Sequence, residues 1–300
     1  MLKIAFHPIY KHELPEGHRF PMDKYDLLPQ QLIYEGTCTE ENFFEPEIPN
    51  NKHFFAVHDP EYFFNLLNIT LSQKEARKIG FPLSEVLVAR EMIIADGTIK
   101  ASKFALKNGI AMNIAGGTHH AFSSHGEAFC MLNDQAIGAR YLQQKGLAKK
   151  ILIIDLDVHQ GNGTAAIFEN NPFVFTLSIH GAKNYPFRKE KSDLDIALED
   201  GTDDQSYLSQ LEKIIPSLFE KIKPDFVFYL CGIDVLASDK LGRLGMSVEG
   251  CKKRDAYVLN QCKQRDIPVQ CSMGGGYSKD IKIIIEAHAN TYRVAKEIYT

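Results

Sequence analysis

Residues 151–163 read ILIIDLDVHQGNG. Four aliphatic residues in a row, Ile151 to Ile154, have the length and β-branching of a strand buried on both faces. Such strands belong to parallel sheets covered by helices, so the stretch points to an α/β fold. Its ending raises the question of function. Asp155, Asp157 and His159 follow at every second position. If the extended backbone continues, these three side chains share one face, and Leu156 and Val158 take the other.

Working outward, apolar runs of strand length recur at Ile4 to Phe6, Ile110 to Ala115, Phe173 to Ile179, Phe226 to Leu230 and Val269 to Ser272. Helical spacing lies between them. Leu208, Leu211, Ile215, Leu218 and Ile222 fall on one helical face, and Pro216 inside that pattern is expected to kink or divide the helix. SVEGCKKRDAYVLNQCKQRD reads as a helix. SKDIKIIIEAHANTYRVAKEIY reads as a C-terminal helix with Ser278 as its N-cap. The stretch HPIYKHELPEGHRFPMDKYDLLP, rich in Pro, His and Gly, is expected to be a long surface loop. There is no repeat, low-complexity tract or linker, so residues 1–300 are read as one domain.

Composition narrows the class. Apolar residues make up 44% of 300 and charged residues 24%, enough for a sizeable core. A formal net charge of -4 gives no basic face for direct nucleic-acid binding. The six cysteines form no CxxC pair and read as reduced thiols. MLKIAFHPIY is not read as a signal peptide, and no apolar run is long enough to span a membrane. The expected location is the cytoplasm.

In open α/β sheets, chemistry gathers beyond the carboxyl ends of the strands. Four predicted strands end in polar or glycine-rich motifs: NIAGG runs into THH, ILII into DLDVH, FVFYLCG into ID, and VQCSM into GGGY. Asp157 and His159 can grip one metal ion, and Asp234 can supply a third ligand. Three N/O ligands with an open position describe a catalytic zinc site, although iron(II) or another divalent ion suits the same donors. The bland alternative for Asp155 and Asp157 is helix capping. His119 and His120 suit acid–base work on a metal-bound water, or are incidental loop histidines. After GGG, Tyr277 can present a phenol to a developing oxyanion. The competing reading, a phosphate loop, lacks the Lys and Ser/Thr of a P-loop.

GGTHHAFSSHGEAFCMLND, IIDLDVHQGNGT, TLSIH, GIDVL and GGGY, in this order, resemble the zinc-dependent histone deacetylase superfamily. The resemblance runs from about Phe6 to the last helix. HQGNG and GIDVLASDKLGRLGMS look most like the class IV branch, which includes bacterial relatives. The resemblance implies an arginase-like three-layer fold around an eight-stranded parallel sheet. It implies zinc on Asp157, His159 and Asp234, His120 as general base and then acid, and His119 as its electrostatic partner. Asp155 would hydrogen-bond His119, and Tyr277 would polarise the scissile carbonyl. Asp155, Asp157, His159, Ser178 and Ile179 would form a monovalent-cation site, as for potassium. Ala128, Phe129, Gly275 and Leu241 would line the substrate tunnel. The implied reaction frees an amine and a carboxylate from an acyl-lysine protein or a small acylated amine.

Two positions depart from the family pattern. Asn162 stands where many relatives carry an Asp beside the second histidine, and an amide cannot stabilise an imidazolium by charge. Ala128 replaces a Gly, so its backbone must tolerate an unusual φ. The sequence assigns no role to Arg19. Two alternatives stay open: a two-metal ureohydrolase on the same fold, which needs bridging carboxylates that Gln160, Gly161 and Asn162 do not supply, and a non-catalytic acyl-lysine binder.

Overall fold

The structure, a computed structural model, describes residues 1–299. Eight strands alternate with nine helices in these residues. The first half contains β1 (Lys3–Ala5), α1 (Lys24–Tyr34), β2 (Phe43–Phe44), α2 (Pro60–Leu67), α3 (Gln73–Ile79), α4 (Glu85–Asn108), β3 (Ile110–Asn113) and α5 (Asp134–Gln144). The second contains β4 (Ile151–Asp155), α6 (Asn162–Phe168), β5 (Val174–Gly181), β6 (Leu194–Leu198), α7 (Asp204–Ile222), β7 (Phe226–Leu230), α8 (Val248–Lys263), β8 (Val269–Ser272) and α9 (Ile281–Tyr299).

The strands form one sheet in the order β2-β1-β3-β8-β7-β4-β5-β6, and every pairing is parallel. Helices on both faces complete the three-layer fold expected from the sequence. α4 packs on β1, β3 and β8 and against α5, while α1, α9, α8 and α7 pack successively on one another. Both β4 and β7 are buried along their whole length, which is why they read as unbroken apolar runs.

Local readings fail where tertiary context overrides them. β4 ends at Asp155, so Asp157 and His159 lie in the loop beyond it rather than on a continuing strand. Pro216 does not divide α7, which runs unbroken from Asp204 to Ile222. The carbonyl that the missing N–H of Pro216 would have engaged, that of Glu212, accepts from the Tyr257 hydroxyl at 3.4 Å. Ser278 does not cap α9. Asp280 accepts from Lys282 N at 2.9 Å, and Ser278 bonds Ser238 instead. The stretch from His7 to Pro29 is not merely a surface loop. It begins with a short 3-10 turn at Pro8–Tyr10, then enters α1, and buries Tyr10, Phe20, Met22, Lys24, Tyr25 and Leu28.

Candidate active site

Four neighbouring strands, β3, β8, β7 and β4, carry the four motifs at their carboxyl ends. Parallel pairing aligns these ends, so residues far apart in sequence meet. After β3 the chain turns through Gly116 (φ 81°) and Gly117 (φ 77°). Gly117 N and Thr118 N both donate to Asp134 Oδ1 at 2.9 Å, which fixes the turn presenting His119 and His120.

The ligand atoms of Asp157, His159 and Asp234 lie within 4.8 Å of one another, and all three residues are buried. His159 Nδ1 is 3.0 Å from Asp157 Oδ1 and 3.1 Å from Asp234 Oδ2. The loops hold the carboxylates from behind: Gly275 N donates to Asp157 Oδ2 and Val158 N to Asp234 Oδ1, each at 2.9 Å. Gly275 must lack a side chain, because a Cβ there would land on Asp234 Oδ2 and lie 2.8 Å from Asp157 Oδ2. Burial and the charge of Asp157 push the Asp234 carboxyl up to about 7. Burial opposes a charge on His159, yet its bonds to Asp157 and Asp234 raise its imidazole to about 10. Two buried carboxylates converging with an imidazole form a donor set that suits a divalent cation.

The two histidines differ in their environments. Both are buried, with ring centroids 4.1 Å apart. Burial opposes charge on His119, but Asp155 Oδ2, 2.7 Å from its Nδ1, outweighs that and holds the imidazole above its usual range. His120 is pushed well below its usual range by burial and by the neighbouring charges of His119 and His159. Its Nδ1 lies 2.6 Å from Asn162 Oδ1, while Asn162 Nδ2 faces Glu127 Oε2 at 3.4 Å. Glu127 is an ionised acceptor, lowered to about 2 by bonds from His125, Tyr185 and Lys78. It orients the Asn162 amide, so the amide oxygen accepts from Nδ1–H of His120. That tautomer leaves Nε2 of His120 with a free lone pair.

The chain as a whole is similar to known proteins. The sequence profile of the histone deacetylase domain matches residues 18–292. The chain belongs to the histone deacetylase family. Membership makes it a hydrolase of amide C–N bonds. An uncharacterized protein of Picosynechococcus sp. is 44% identical over 99% of both chains. Histone deacetylase clr6 of Schizosaccharomyces pombe is 34% identical over 91% of this chain and 68% of its own. The crystal structure of a histone deacetylase homologue from Aquifex aeolicus superposes with a TM-score of 0.84 at 25% identity, over 98% of this chain and 84% of that one.

In this deacetylase, Tyr277 stands half-buried at the mouth, its ring 6.5 Å from that of His159. Burial and the charges of Asp157 and Asp234 push its phenol far above the usual range, so it remains a donor. Phe129 packs edge-on against Phe20 at 5.1 Å and lies 6.2 Å from Tyr277. Leu241 lines the outer cavity and Gly275 the inner one. Ser178 is set beside Asp155 by the register of β4 and β5, and Ile179, next in β5, is buried.

Ala128 adopts the φ the family pattern demands, +45°, and Phe129 follows at +69°. Backbone bonds enforce the bend, with Ala128 N donating to Lys78 O at 2.9 Å and Phe129 N to Ile79 O at 2.6 Å. Left-handed backbone costs a non-glycine residue about 1 kcal/mol. Ala128→Gly is therefore expected to leave the Tm unchanged or raise it slightly, where Ala→Gly in an ordinary loop lowers it. A clear fall in Tm by calorimetry would show that the bend carries no strain.

Three residues at the site left no signal in the sequence. Lys24 is fully buried and donates from Nζ to Gly274 O at 3.1 Å, tying α1 to the GGGY loop across the chain. Burial brings its ammonium down to about 8, against the pull of Asp234 and Asp157. Asp239 accepts from Tyr277 N at 2.6 Å and so holds the tyrosine loop. Tyr185 places its ring edge-on to His120 with centroids 5.0 Å apart. A buried lysine is invisible to hydropathy, and Asp239 looks like an ordinary turn residue.

Proposed function

We propose that the chain is a mononuclear metal-dependent deacylase that hydrolyses acyl groups from lysine side chains or related acylated amines. The observation that carries this reading is the pairing of one buried three-ligand cluster with two adjacent buried histidines, one bonded to a carboxylate and the other to an amide. When bound, a divalent ion supplies Lewis acidity to polarise water and the substrate carbonyl. Asp157, His159 and Asp234 are the residues to hold it, with zinc the first candidate and iron(II) the second.

The remaining steps belong to the protein's own groups. His120, neutral with Nε2 free, takes the proton of the attacking water. Asn162 keeps the opposite ring nitrogen protonated. His119, bonded to Asp155, which favours its protonated form, steadies the negative charge that develops beside it. Tyr277 donates its hydroxyl to the oxyanion. His120 then returns the proton to the leaving amine. Asp155, Asp157, His159, Ser178 and Ile179 are proposed to hold a monovalent cation such as potassium, which would stiffen the loop after β4.

A one-metal site is favoured over the two-metal ureohydrolase. Among the described residues a single cluster of three metal-ligating side chains is present, and Gln160, Gly161 and Asn162 follow it without a carboxylate. The decisive test combines turnover of an acyl-lysine peptide with elemental analysis. One metal per chain and release of free carboxylate are expected. Two metals per chain, or binding without turnover, would end this reading.

Asn162 allows a sharper test of the base. A carboxylate at that position would stabilise the imidazolium of His120 and raise its pKa. Only the neutral imidazole can accept water's proton, so Asn162→Asp should move the acidic limb of kcat/KM to higher pH. Paired pH–rate profiles at fixed salt and metal measure it. An unmoved or downward-shifted limb would remove His120 as the base.

A further inference from the structure

The outer cavity, about 520 Å3 in volume, opens over His120, His159 and Tyr277. Five cationic side chains line it, Arg19, Lys78, Lys183, Lys240 and Arg243, and no carboxylate does. The nearby acids answer them only in part. Asp200 is shared by Arg243 at 2.8 Å and Lys183 at 3.7 Å. Glu127 takes Lys78 at 3.3 Å but is also engaged by His125 and Tyr185. Asp239 spends its carboxylate on the backbone N–H groups of Leu241, Gly242 and Tyr277. Arg19 and Lys240 are exposed and take part in no ion pair among the described residues.

These cations sit on anchored turns. Arg19 lies between His18, whose Nε2 bonds Gly80 O at 3.0 Å, and Phe20, which packs on Phe129. Its guanidinium rests over the Phe129 ring, 4.9 Å from the centroid. Lys240 rides on the turn that Asp239 closes, and Leu241 O pins the Asn184 side chain at 2.7 Å. Beside them Phe187 is 93% exposed and offers an apolar surface at the rim.

We propose that this deacetylase selects acyl-lysines flanked by acidic residues, with Arg19 and Lys240 the principal contacts and Lys183, Arg243 and Lys78 supporting them. The proposal rests on the hydrolase reading above and adds the substrate's charge. Whole-protein charge is -4, so the cationic mouth is a local inversion, and local charge of one sign steers ligands of the other. A cavity this wide beside an exposed phenylalanine suits residues on either side of the acyl-lysine. A polyamine, which carries its own cations, meets repulsion at the same rim.

The test uses the metal-loaded enzyme and three peptides, identical except that the residues flanking one acyl-lysine are Asp/Glu, Ser/Gln or Lys/Arg, in acetyl and longer-acyl forms. kcat/KM should fall from the acidic to the basic peptide by on the order of tenfold, chiefly through KM. The ratio should shrink as salt rises from 50 to 500 mM. In the double variant Arg19→Glu, Lys240→Glu the preference should invert. If that variant does not fold, Arg19→Gln and Lys240→Gln should each narrow the ratio. Equal turnover of the three peptides by the unmodified enzyme, a preference for the basic one, or a ratio these substitutions leave alone would overturn the proposal. No turnover of even the neutral peptide would sink the hydrolase reading, and this proposal with it.

Discussion

Asp157→Ala should lose bound metal and activity together. The substitution removes one of three converging ligands and also the acceptor of Gly275 N, so two ligands on a loosened loop remain. Loss of metal should be close to complete at micromolar free zinc, and turnover should fall to background. Elemental analysis and a deacylation assay on the same sample measure both. Asp234 then faces no like charge from residue 157, the second influence that raises it after burial. Its carboxyl should titrate lower in the variant than in the metal-free parent. Stoichiometric zinc with activity retained would reassign the ligand set.

Tyr277→Phe should lower kcat by about 10² to 10³ while leaving metal content and KM nearly intact. The change deletes one hydroxyl from a ring whose place is set by Phe20, Phe129 and the Asp239 bond to its backbone. None of those contacts involves the hydroxyl, so the loop should keep its shape. The loss then reports on stabilisation of the oxyanion and not on folding. Near-normal kcat would take Tyr277 out of the reaction, and a matching loss of metal would mean that the ring supports the ligand loop.

The parts that could be read from the chain are those in which local pattern and global role agree. β7 and β8 match their predicted bounds residue for residue; β7 does so because a strand buried on both faces is apolar throughout, and β8 although it buries Gln270 and Ser272. The four motifs were recognisable because parallel pairing sends every strand's carboxyl end to the same edge. α4 was not legible, although it is the longest helix. Its buried side includes Arg90, Glu91, Asp96 and Thr98, which blur the apolar stripe that marks a helix. Arg90 pairs with its neighbour Glu91 and donates from Nε to Tyr10 O at 2.7 Å, a partner 80 residues away that only the folded chain supplies. β2 has two residues and β6 lies at the opposite edge with a partly exposed LDIAL pattern, too little signal in either case. Lys24 was lost for a related reason: its burial is matched by a carbonyl 250 residues away.

The strand order also governs when the enzyme can come into being. β8 stands between β3 and β7 and is the only link between the sheet's early half, β2-β1-β3, and its later half, β7-β4-β5-β6. Until residues 269–272 have left the ribosome, the two halves present unpaired edges to each other and to any passing strand. The histidine pair belongs to one half and the metal ligands to the other. A nascent chain stalled before β8 therefore exposes aggregation-prone edges and deacylates nothing, which translation arrested at residue 265 and probed by limited proteolysis would register as two separately protected fragments. On this strand order, closing the sheet should wait for its final strand, and a copy truncated before residue 269 should lack hydrolytic activity.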